Sequence, residues 1–109
     1  MQIELTKQKC EACEGGVIPL NRIEADILLK QIPGWEVADD VKSISRQYAF
    51  KNFKEALAFV NQVGELAESE GHHPDIHLTD FKKVSIDLST HAIGGLSNND
   101  FILAAKIDA

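Results

Sequence analysis

Apolar positions recur along this chain with two periods, and the switches between them mark out its elements. From Asn21 to Lys30, Ile23, Ile27 and Leu28 form one apolar stripe, which predicts a helix. Asn21 is suited to cap it, and Glu24 stands at the third helical position, the spacing of a capping box. Pro33-Gly34 ends the helix and opens a turn. Trp35 to Val37 reads as a short strand, Asp39-Asp40 as a turn, and Ser43 to Phe50 as a second strand with Ile44, Tyr48 and Phe50 in one register. The longest 3.6-residue pattern follows. Asn52 caps it, Glu55 occupies its third position, and Phe53, Leu57, Val60, Val63 and Ala67 recur at steps of three and four. Gly71 suits the left-handed position just past its end. Strict alternation then returns: Ile76 and Leu78 against His77 and Thr79, then Val84, Ile86 and Leu88 against Ser85, Asp87 and Ser89, joined by a turn at Asp80 to Lys82. After Gly94-Gly95, Ser97 and Asp100 form a second capping box, which starts a last helix through Phe101, Ala104 and Ala105.

The order α-β-β-α-β-β-α predicts an α+β fold: a four-stranded antiparallel sheet with three helices packed on one face. Residues 1–19 read as an irregular tail, broken by Gly15-Gly16 and Pro19, and residues 20–109 as the domain. The chain has 109 residues, the length of one domain with one core. Apolar residues at 44% and charged residues at 26% exclude a mainly disordered state. A formal charge of −6 argues against nucleic-acid backbones and anionic membranes as partners. No apolar run approaches a membrane span, and the N-terminus lacks the apolar core of a signal peptide, so the expected compartment is the cytoplasm.

Candidate chemistry gathers around the second hairpin, which His72, His73 and His91 bracket. Pro74 forces His73 into an extended backbone, so the His72-His73 pair leaves the helix in a stiff turn. Glu68 precedes His72 by four residues, and on a continuing helical turn the two side chains would meet. The partial negative charge at a helix C-terminus favours imidazolium, and such a histidine can donate a proton near neutral pH. His91 shares parity with Ser85, Asp87 and Ser89 if the alternation persists, which takes it off the core face. Plainer readings exist for each: His-His-Pro as a helix stop, His77 as a solvated side chain, Glu68 as part of a solvated helix face, and Ser97 with Asp100 as a structural cap. Cys10 and Cys13 form one C-x-x-C without a second ligand pair nearby, which leaves an incidental or locally structural pair, a metal role and a redox role open. A histidine metal site is possible in principle, but no compact metal motif is present.

Taken together, Glu68-x-x-x-His72-His73-Pro74, Val84-x-Ile86-x-Leu88-Ser89-Thr90-His91, Gly95-Leu96-Ser97-x-x-Asp100 and Leu103-Ala104 resemble the pterin-4a-carbinolamine dehydratases. The likeness extends through Trp35-Glu36 and Tyr48-x-Phe50-x-x-Phe53-x-x-Ala56 and covers about residues 20 to 109. The resemblance implies dehydration of 4a-hydroxytetrahydropterin to quinonoid dihydropterin, which regenerates the pterin of aromatic amino acid hydroxylases. It implies His72, His73 and His91 as catalytic residues. Glu68, Pro74, Ser89, Thr90 and Asp100 would bind or orient the substrate. It further implies no metal, no cofactor beyond the pterin substrate itself, and a homodimer or homotetramer. Some animal members also bind a homeodomain transcription factor, a role to which nothing in this acidic sequence points. A non-catalytic module that binds a pterin or a protein on the same fold is the alternative expectation. Two departures stand out: one more residue than expected between His73 and His91, placed at Asp80, and Phe81 where Tyr or Trp is usual. An added residue is harmless in a turn, but within a strand it would flip side-chain parity and displace His91.

Overall fold

The computed structural model describes residues 4–11 and 17–109. Helix α1 (Arg22–Leu29) starts at the predicted capping box: the Asn21 side chain accepts from Glu24 N–H at 2.9 Å, and Asn21 N–H donates to the Glu24 carboxylate at 3.0 Å. Strands β1 (Glu36–Val37) and β2 (Ile44–Ala49) form the first hairpin, helix α2 spans Phe53–Glu70, and β3 (Asp75–Thr79) and β4 (Lys83–Leu88) form the second hairpin. Helix α3 runs from Asn98 to Ile107. Among the described residues, no helix is long and apolar enough to cross a membrane.

The sheet is antiparallel throughout, in the order β1-β2-β4-β3. Its two hairpins join through β2 and β4, which pair from Ile44 opposite Leu88 to Ala49 opposite Lys83. Val84, Ile86 and Leu88 are buried against Ile44, Phe101 and Leu103, while Ser85 and Asp87 face the other way. Asp80, the additional residue expected between His73 and His91, lies in the turn. Asp80 and Phe81 both take φ +53°, and the strands beyond keep parity, with Ile76 opposite Ile86 and Leu78 opposite Val84.

Two of the apolar stripes are rotated from the expected line. Helix α1 buries Ala25, which lets its backbone approach the core closely, and leaves Ile23 and Ile27 exposed. Helix α2 buries Ala56, Val63 and Ala67, with Phe59 stacked beside Tyr48 and Phe50 at ring separations of 4.6 and 5.1 Å. Leu57 lies about 100° around the helix from Ala56, and it and Phe53 stay exposed.

The N-terminal segment is part of the packing. Leu5 opens a short 3-10 turn, is buried, and packs with the core next to α3. Farther along, Cys10 N–H donates to Glu70 at 3.0 Å, and Lys106 donates to the other Glu70 oxygen at 2.8 Å. Lys106 first, and the Cys10 N–H second, hold the Glu70 carboxyl below the usual glutamate range. A carboxyl depressed in the folded state stabilises the fold fully above its unfolded value, and that stabilisation disappears as pH falls through the folded value. Urea titrations of wild type and Glu70→Gln should therefore differ at pH 7 and converge as the pH is lowered below the glutamate range. A gap that persists unchanged in acid would refute this linkage.

Candidate active site

Gly71 sets the direction of the chain at the site. It ends α2 with φ +67°, a left-handed conformation that costs glycine nothing. The His72 N–H still reaches the Ala67 carbonyl at 3.2 Å, and the chain then leaves the helix axis. The two imidazoles diverge as a result. His72 turns inward, its ring 11% exposed, with Nε2 2.6 Å from Oδ1 of the fully buried Asp100. His73 stays exposed with Nε2 2.7 Å from Glu68. The expected pairing of Glu68 with His72 does not form, because it required the helical turn that Gly71 breaks; Glu68 meets His73 instead.

Asp100 does two jobs. As the third residue of α3 it completes the capping box, its Oδ2 accepting from Ser97 N–H at 3.0 Å and from the Thr90 hydroxyl at 2.9 Å. Its other oxygen is left for His72. The Thr90 and Ser97 hydroxyls are also bonded at 2.7 Å. A carboxylate that accepts the Nε2 proton makes Nδ1 the imidazole nitrogen free to exchange one. Among the described residues, no buried side-chain N or O atom lacks a hydrogen-bond partner.

His91 reaches the site by a turn, not by a longer strand. β4 ends at Leu88, and His91–Ile93 form a single 3-10 turn closed by a bridge between Thr90 and Gly95, with Thr90 N–H donating to the Gly95 carbonyl at 2.8 Å. Gly94 is left-handed at φ +65°, and a Cβ on Gly95 would come within 2.8 Å of the Pro19 ring. These two glycines let the loop close tightly and hold His91, exposed, at the mouth of a cleft.

That cleft has a volume of about 250 Å³ and is lined by His72, His73 and His91, by Ser89 and Thr90, and by Glu11, Gly71, Ala92 and Asn99. All three histidines singled out in the sequence thus meet at one cavity. Ser89 and Thr90 line it, Asp100 is buried behind His72, and Glu68 and Pro74 are not among its lining residues, Glu68 being bonded to His73. His77 lies on the other face of the sheet, 3.1 Å from Asp87. A larger hollow of about 400 Å³, lying over β2 and the second hairpin, is lined by Gln47, Tyr48, Lys83 and Ser85 among others and contains no histidine. Among the described residues, no group of three or more His, Cys, Asp or Glu side chains is arranged to hold a metal ion. Burial and the neighbouring Glu70 carboxylate push the half-buried Cys10 thiol up to about 12, which keeps it protonated at neutral pH. Cys13 lies outside the described residues.

Sequence reasoning missed Glu11 and Asn99 in the cleft. Asn99 adjoins the Ser97 capping box, and that position was its one available signal. Nothing local connects Glu11 to histidines 60 or more positions away.

Fold and cleft together define an α+β protein with three imidazoles at one cleft, one of them bonded to a buried carboxylate. The model of the family "Pterin 4 alpha carbinolamine dehydratase" matches residues 18–109. Curated proteins called "Putative pterin-4-alpha-carbinolamine dehydratase" are similar along nearly their whole length. The one from Halorhodospira halophila is 48% identical, covering 98% of this chain and 97% of its own. The one from Rubrobacter xylanophilus is 49% identical, covering 96% of each. A solved "transcriptional coactivator/pterin dehydratase" from Brucella melitensis superimposes with a TM-score of 0.76 at 30% identity, over 83% of this chain and 95% of that one. The chain belongs to the pterin-4a-carbinolamine dehydratase family.

Proposed function

We propose that this protein dehydrates 4a-hydroxytetrahydropterin to quinonoid dihydropterin and water by histidine acid–base catalysis. The observation that carries this reading is the convergence of His72, His73 and His91 on one cleft. The reaction breaks the bond between C4a and its hydroxyl oxygen, and hydroxide leaves poorly unless it is protonated. The adjacent ring nitrogen loses its proton, and its electron pair forms the C=N bond as water departs. One acid and one base beside a flat heterocycle are sufficient, each supplying roughly 10²- to 10⁴-fold. His72, oriented by Asp100, and His91, at the mouth, exchange these protons. His73, steered by Glu68 and Pro74, orients the pterin. Thr90 already gives its hydroxyl to Asp100, so it holds the orienting carboxylate in place, while Ser89 contacts the substrate.

The family relationship supports the substrate and reaction class. The protein acts as a homodimer or homotetramer in this reading, consistent with the unpaired outer edges of β1 and β3 and the exposed Phe53 and Leu57. A stopped-flow assay with chemically generated 4a-carbinolamine tests the function. Purified protein should accelerate loss of the carbinolamine well beyond the spontaneous rate. Binding of a pterin without any acceleration would instead establish a non-catalytic binding module.

A further inference from the structure

The cleft has a wall that the family match does not reach. Glu11 precedes the matched residues 18–109, yet it lines the cavity with the three histidines. Its backbone is held at both polar atoms by one buried amide. Glu11 N–H donates to Asn99 Oδ1 at 2.9 Å, and Asn99 Nδ2 donates back to the Glu11 carbonyl. Asn99 is 6% exposed. One residue earlier, Cys10 N–H is fixed by the Glu70–Lys106 pair, whose side chains are only 11% and 15% exposed. Two nearly buried polar anchors therefore fix consecutive residues just where the segment meets the cleft. The Glu11 backbone is fully engaged while the residue itself stays exposed.

We infer that Glu11 is a specificity-determining residue that accepts hydrogen bonds from the amino-pyrimidinone edge of the pterin, an inference that rests on the function proposed above. The imidazoles serve the ring that carries the hydroxyl. The opposite end of the heterocycle presents two adjacent donors, a ring N–H and the 2-amino group, and a carboxylate accepts such a pair bidentately. Of the acidic side chains near the site, Asp100 is buried and already takes three donors, and Glu68 is bonded to His73 outside the cavity. Glu11 is the acidic residue among those that line the cleft. The clamp holds its backbone at the cleft, so binding has only the side-chain rotamers left to order.

Titration calorimetry with 7,8-dihydropterin and with its 2,4-dioxo analogue, on wild type and on Glu11→Gln, tests this. The substitution leaves the backbone clamp intact, and an unchanged urea midpoint will verify that. Wild type should favour the 2-amino compound by about 10- to 100-fold, the value of a charge-assisted hydrogen bond. Glu11→Gln should reduce that preference to less than about threefold, and its loss in the dehydration assay should fall on KM more than on kcat. An unaltered preference in Glu11→Gln, in a protein whose wild type binds and turns over the pterin, overturns this inference and leaves the proposed function standing. A wild type that neither binds nor dehydrates the pterin overturns both.

Discussion

Asp100→Asn is expected to keep the fold and to lose dehydratase activity by about 10²- to 10⁴-fold in kcat. Hydrogen-bond capacity decides the outcome. The buried carboxylate accepts three bonds: one from His72 and two from Ser97 N–H and the Thr90 hydroxyl. An asparagine has one acceptor oxygen. If that oxygen stays with Ser97 N–H, as the cap requires, the amide group faces His72 as a donor. His72 must then accept at Nε2 and carry its proton on Nδ1, the reverse of the arrangement that exposes Nδ1 for exchange. The stability cost should be modest, about 1–3 kcal/mol, because the cap survives. Circular dichroism and a urea midpoint will establish folding, and single-turnover kinetics the loss. Activity within about threefold of wild type would show that the Asp100 contact does not set the state of His72.

Asp108→Ala, at the far end of the same helix, should do the opposite: destabilise the protein and spare the cleft. The Asp108 carboxylate receives Trp35 Nε1–H at 2.8 Å, Arg46 at 3.0 Å and the Tyr48 hydroxyl at 2.6 Å, tying the end of α3 to the β1–β2 hairpin. Trp35 is 4% exposed, so its N–H would be left buried without a partner. The expected cost is about 2–3 kcal/mol, equivalent to a fall in urea midpoint of about 1–2 M. Tyr48 gives an independent readout, since it is the single tyrosine of the chain. Burial first, and its bond to Asp108 second, raise its phenol well above the ordinary tyrosine range. Without Asp108 the phenol should titrate at lower pH, visible in ultraviolet absorbance. An unchanged midpoint together with an unchanged phenol titration would mean that solvent replaces the carboxylate at no cost.

The difference between these two aspartates shows how much was legible beforehand. Asp100 sits in a local pattern, three residues after a serine at a helix start, and its capping role was readable. Its resemblance to a family position also marked it for the site. That its second oxygen holds His72, and that Glu68 serves His73 instead, was not readable, because the outcome depends on how sharply Gly71 turns the chain. Asp108 carries no such local signal: its partners lie 60 to 73 positions away in sequence. The same holds for Ile23, Ile27, Phe53 and Leu57. Periodicity identified their helices correctly, but which few degrees of each helix face the core depends on the depth to which Ala25 and Ala56 allow the helices to approach.

Local chemistry alone settled the element types, their caps and turns, the order α-β-β-α-β-β-α, and the three histidines around the second hairpin. Those features depend on residues within a few positions of one another, so the chain carries them openly. Tertiary structure decided the joining of the hairpins through β2 and β4, the rotation of each helix, the partner of each imidazole, and the presence of Glu11 in the cleft. Each of these is a contact between distant segments, and its geometry exists only once the whole core has packed.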